Sequence, residues 1–141
     1  MSDDADGNTT AVAEPQGRGR DFRALLHELV RLEHIRGGLI VAADGLTIAA
    51  ELPQDISIEA LAALAAMLGR ELEMRGPRLR RGSFSMAHFA AEDGVVFLGG
   101  TPVGFIVLIG DAAADRDRIR HEMAGAMDAV RRAWHGNLVD E

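Results

Sequence analysis

The chain has 141 residues, 48% apolar and 26% charged, with a formal net charge of −7. That length suits one domain with a single core, and the acidic balance argues against broad nucleic-acid binding. Cysteine is absent and every basic residue is Arg, which excludes disulfides, thiolate metal sites and a lysine nucleophile.

Residues 1–20 are polar and Gly-containing, with Pro15 and almost no large apolar side chain. Such a segment buries too little to offset its chain entropy, so a disordered tail is expected there. Its acidic start (Asp3, Asp4, Asp6) lacks the basic and apolar pattern of an export signal. The folded domain is expected over 21–136, with 137–141 as a short second tail.

Asp21 is a good N-cap, and Phe22, Leu25, Leu26, Leu29 and Val30 follow at helical spacing. Gly37-Gly38 stops that helix. An apolar run over 38–42 meets Asp44-Gly45, and a second run, Leu46 to Ala50, follows. Asp-Gly between two such runs predicts a tight hairpin whose central residues both have φ > 0. Pro53 ends the pairing. Asp55 or Ser57 caps a second helix, which Gly76-Pro77 breaks.

Three strands are expected next. Ser83 to Phe89 alternates, placing Phe84, Met86 and His88 on one face. Val95 to Leu98 is short, and Val103 to Ile109 is apolar enough to be a central strand covered on both faces. Gly99 to Pro102 reads as a turn. The region 95–109 carries Gly99, Gly100, Pro102 and Gly104 and is too interrupted to span a membrane. The expectation is a cytoplasmic protein with no membrane insertion. A last helix covers about Asp115 to His135, with Gly136-Asn137 as its C-cap. The predicted order is α-β-β-α-β-β-β-α, an α/β (α+β) sandwich.

The second helix has more apolar surface than one sheet face needs. Leu61, Leu64, Leu68 and Leu72 form one stripe, and Ala60, Ala63, Met67 and Met74 form another, rotated by about 100°. The second stripe wants a second cover. Ser83 to Phe89 reads as an edge strand with few blocking charges, and open edges invite pairing. Self-association is therefore expected through Ala60, Ala63, Met67, Arg70 and Met74 of the helix and Phe84 and Met86 of the strand.

The five histidines form no His-x-x-x-His pair, and no metal or cofactor is expected. Gly99-Gly100-Thr101-Pro102 lacks the Gly-Lys-Ser/Thr ending of a phosphate loop. No nucleophile or general acid–base pair stands out, so no enzyme is expected. Arg75, Arg78, Arg80 and Arg81, with Arg70 one turn earlier, give local positive potential on an acidic chain. Arg forks suit carboxylates and phosphates, so these five are the candidate partner-binding residues, alongside a purely structural role at a helix C-terminus.

The residues Gly37-Gly38-Leu39-Ile40-Val41, Asp44-Gly45-Leu46, the Ala/Leu-rich stretch 60–68 and the strand over 102–109 resemble the roadblock domain family of dynein light chains and bacterial regulators of Ras-like GTPases. The likeness covers about Asp21 to Trp134. It implies a roadblock/profilin-like fold: a five-stranded antiparallel sheet of order 2-1-5-4-3, the second helix on one face, the other two on the opposite face. It also implies a non-enzymatic homodimer that binds a small Ras-like GTPase as regulator or scaffold. The alternative is an accessory scaffold subunit of a sensor or motor complex with no GTPase partner.

Overall fold

The computed structural model describes the backbone of residues 16–140 and the side chains of 21–135; residues 1–15, most of the expected N-terminal tail, and residue 141 lie outside the described residues. In chain order the elements are α1 (Gln16–Val30), β1 (Ile35–Ala42), β2 (Thr47–Glu51), α2 (Ile58–Arg75), β3 (Met86–Ala91), β4 (Gly94–Thr101), β5 (Gly104–Asp111) and α3 (Arg116–Asp140). A 3-10 turn, Gly76–Leu79, follows α2. The sheet order is β2-β1-β5-β4-β3, all antiparallel, as the resemblance implied.

Several boundaries differ from expectation. α1 begins upstream of Asp21. α3 runs through Gly136-Asn137 to Asp140, so that pair is no C-cap. Thr101 belongs to β4, and the turn falls at Pro102-Val103, where the Thr101 hydroxyl accepts from the Val103 and Gly104 backbone N–H groups.

The β1–β2 turn is real but one residue longer than a two-residue hairpin. The Ala42 N–H bonds the Leu46 carbonyl at 2.8 Å, enclosing Ala43-Asp44-Gly45. Gly45 has φ 95°, whereas Asp44 is not left-handed. The Asp44 carboxylate instead accepts the Leu46 N–H at 3.0 Å, an Asx contact. One left-handed residue therefore suffices, in the three-residue loop with a bulge.

Strand alternation splits the core in two. Ile40, Phe97, Ile106 and Leu108 face α1 (Phe22, Leu26, Leu29) and α3 (Ile119, Met123, Met127, Val130). Leu39, Val41, Leu98, Phe105 and Val107 face α2. β5, with both faces covered, is the central strand expected from its unbroken apolar run.

The α2 side is built on small residues. Ser57 caps the helix, its hydroxyl accepting the Ala60 N–H at 3.1 Å. The buried α2 positions are Ala62, Ala65, Ala66 and Gly69, flanked by half-buried Leu61, Leu68 and Leu72. A Cβ at Gly69 would fall on the Phe105 ring. The face pressed to the sheet is thus not the expected leucine stripe. Leu64 of that stripe points outward, and the alanines bring α2 close to its own sheet because Phe105 and Leu98 already supply the bulk.

Candidate functional site

Among the described residues, most of the large exposed apolar side chains lie on α2 and the segments after it. Leu64, Met67 and Met74 occupy the outer flank of α2, with Met67 50% and Met74 64% exposed, whereas Ile58, exposed in the first turn, lies on the sheet-side line of Ala62. Ala60 and Ala63 lie on the same outer flank as Met67. These positions sit opposite Ala62, Ala65, Ala66 and Gly69 on the helical wheel. The surplus stripe read from the sequence is therefore uncovered in the protomer, with Leu64 added to it.

β3 is an edge strand, as expected, but it begins at Met86, so Ser83 and Phe84 lie outside it. Pairing fixes its faces. Ala87 opposes Leu98 and Phe89 opposes Val96, so both lie on the α2 side. Phe89 is 43% exposed there. Met86 and His88 take the other face: Met86 packs on the α1/α3 core, and the His88 ring lies 5.9 Å from that of Phe97. Phe84 packs into the α2-side cluster and stands near Gly76. The single face expected for Phe84, Met86 and His88 does not exist. The large apolar side chain exposed on the α2 side of the open edge is Phe89.

The arginines separate into two groups. The Arg70 guanidinium donates to the Ala43 carbonyl, tying α2 to the β1–β2 turn. Arg75 bonds Glu71 one helical turn back at 2.5 Å. Arg78, Arg80 and Arg81 are exposed on the loop after α2, beside Leu79, which is 74% exposed. Arg80 is left-handed (φ 60°) and its N–H bonds the Pro77 carbonyl, closing the 3-10 turn. Arg81 reaches only the Arg80 carbonyl, at 3.3 Å. Among the described residues, Arg78, Arg80 and Arg81 face no carboxylate, and they are the uncompensated part of the basic run.

The structure resembles solved ones over most of its length. A roadblock/LC7 domain from Streptomyces avermitilis superposes with a TM-score of 0.71 at 22% identity, over 80% of this chain and 97% of that one. Myxococcus xanthus MglB gives 0.75 at 15% identity, over 82% and 96%. An MglB in a tetrameric arrangement gives 0.72 at 18% identity, over 91% and 96%. The fold is the roadblock/LC7 fold. No protein-family model matches the chain. In sequence it is similar to two uncharacterized proteins of Methanocaldococcus jannaschii, 28% and 27% identical over 107 residues, 76% of this chain and 94% of each of those.

The rest of the roadblock frame is occupied by structural contacts. His27 Nδ1 lies 3.0 Å from the Glu51 carboxylate, joining α1 to β2. His34, left-handed at the α1–β1 corner, lies 3.2 Å from Asp111 at the end of β5. The Ala113 backbone N–H and then the His34 ring hold the Asp111 carboxyl below its ordinary value. Among the described residues no group of three or more His, Asp or Glu is placed to hold a metal, and no helix is long and apolar enough to cross a membrane. An open cleft between α1 and α3 is lined by apolar side chains with Asp21, Glu28 and Glu122 at its margins.

Proposed function

We propose that this protein is a homodimeric, non-enzymatic module of the roadblock family that binds a small Ras-like GTPase as its regulator or scaffold in the cytoplasm. One observation carries the reading: the protomer leaves bare the apolar outer flank of α2 and, on the same side of the sheet, Phe89 of the open β3 edge. A second copy presenting the same surface would cover it, as self-complementary two-fold interfaces require. Pairing β3 to its symmetry mate would extend the sheet through both subunits and remove the exposed edge. The tetrameric arrangement in which one of the similar MglB structures is found supports self-association of this fold.

Within this reading Ala60, Ala63, Leu64, Met67 and Met74 lie at the contact. Phe84 and Met86 are only half-buried in the protomer's own clusters, and the surface they keep exposed belongs to the rim of the contact. Arg70 holds the β1–β2 turn, so the residues left for an acidic partner surface are Arg78, Arg80 and Arg81, with Arg75 beside them. No catalytic role is assigned to any residue; a partner GTPase would contribute its own chemistry.

The test is a pull-down with the Ras-like GTPases encoded in the same genome, loaded with GDP or with a non-hydrolysable GTP analogue. Binding in at least one nucleotide state is expected, and weakened binding on Arg78→Ala with Arg81→Ala. A dimer that captures none of them in either state would overturn the GTPase reading and leave the scaffold alternative.

A further inference from the structure

The strand pairings place several elements at one end of the molecule. Ala42 pairs with Gly104 and Thr101 with Gly104, so the β1–β2 and β4–β5 turns lie together. Met86 pairs with Gly99, which puts the start of β3 there as well. Arg70 reaches Ala43, so α2 points its C-terminus, and the arginine loop after it, to that end. α1 leads into β1 at the opposite end, where the Asp111 N–H bonds the His34 carbonyl. The N-terminus of α1 therefore lies at the same end as the arginine loop, on the other face of the sheet.

Residues 1–15, which precede α1, carry Asp3, Asp4, Asp6 and Glu14 and no basic residue. Fifteen residues reach up to about 50 Å when extended. Two layer spacings of about 10 Å separate the helix layers on opposite faces of a sheet. Reach is ample. The cleft beside α1 offers no charge complement, since the ionisable side chains lining it are Asp21, Glu28 and Glu122. Arg78, Arg80 and Arg81 are exposed, face no carboxylate among the described residues and fall within four positions with no acidic residue between them, whereas Arg116, Arg118 and Arg120 alternate with Asp115 and Asp117.

We infer that the acidic N-terminal segment docks on the Arg78–Arg81 loop of its own chain and competes there with any acidic partner surface. The segment is then a built-in occupant of the basic loop, displaced only by a partner of greater negative charge or better fit. This goes beyond the GTPase reading and does not depend on it, because neither probe below contains a GTPase.

The absence of cysteine makes the test clean: Ser2→Cys provides a single attachment point for a nitroxide on the full chain. At low ionic strength, broadening of the backbone amide signals of residues 78–83 is expected. It should vanish near 1 M salt, where the Debye length is about 3 Å. It should also vanish when Asp3, Asp4 and Asp6 become Asn and Glu14 becomes Gln. No broadening, broadening confined to α1 and the cleft, or broadening that survives neutralisation would each overturn the inference. So would equal broadening of isotope-labelled, nitroxide-free chains mixed with unlabelled nitroxide-bearing ones, which would place the segment on a different chain. As a second readout, a fluorescent polyglutamate peptide should bind the neutralised variant at least about fivefold more tightly than the unaltered chain, within the usual range of coupling between sites. Equal affinity would overturn the competition.

Discussion

Met67→Glu is the sharpest test of the bare α2 flank. Full burial of a Met side chain is worth about 1.5–3 kcal/mol. Met67 is already half covered by its own subunit, at 50% exposure, so association adds about 0.75–1.5 kcal/mol per copy on that scale. Two-fold symmetry doubles this to about 1.5–3 kcal/mol per dimer, or roughly 10- to 150-fold in the dissociation constant. Glutamate forfeits that gain and also places two carboxylates in a desolvated contact, which weakens association further. Sedimentation equilibrium over a dilution series is the assay, with Met67→Ala to isolate the apolar part. Protomer stability should hardly move, because Met67 points away from both cores. If both variants sediment as dimers with unaltered affinity, the contact lies elsewhere and the argument from the second stripe is wrong.

The close approach of α2 to its sheet gives a paired prediction. Gly to Ala in an open helix position stabilises by about 1 kcal/mol, and Gly125 on α3 has nothing within 4 Å of an added Cβ. Gly125→Ala should therefore raise the urea midpoint, whereas Gly69→Ala, which drives a methyl into the Phe105 ring, should lower it, since overpacking by about 1–3 kcal/mol outweighs the propensity gain; equal stabilisation by both would refute the packing. Asp111 gives a pH signature. Its carboxyl is held below the ordinary 3.8 by the Ala113 N–H and then by His34, so its contribution is present above about pH 4 and is lost as pH falls through the lower folded value. In urea titrations the gap between the unaltered protein and Asp111→Asn should narrow from pH 6 to pH 3; a constant gap would mean that Asp111 ionisation does not support the α1–β1 corner.

Much of this architecture was legible because the decisive signals are local. Asp44-Gly45 between two apolar runs marks a hairpin whichever turn it adopts, and the unbroken run in β5 marks a centre strand. Two features were illegible, and for one reason. Hydrophobic periodicity ranks side chains by apolarity, whereas packing selects them by volume. On that ranking Leu64 belongs with Leu61 and Leu68 on the sheet side. The sheet already presents Phe105 and Leu98, so the helix must approach on Ala62, Ala65, Ala66 and Gly69, and the turn of the wheel that this imposes sends Leu64 outward beside Met67. The bulk lies on β4 and β5, far along the chain from α2, and no window over the helix contains it. Phe89 was missed in the same way. Its face is set by its pairing with Val96, and a strand assumed to begin at Ser83 directs attention to Phe84 and Met86. Both corrections move large side chains onto the bare surface. They strengthen the case for a second subunit on grounds independent of the helical stripe that first suggested it, because Phe89 lies on the sheet edge, where no pattern internal to α2 could have placed it.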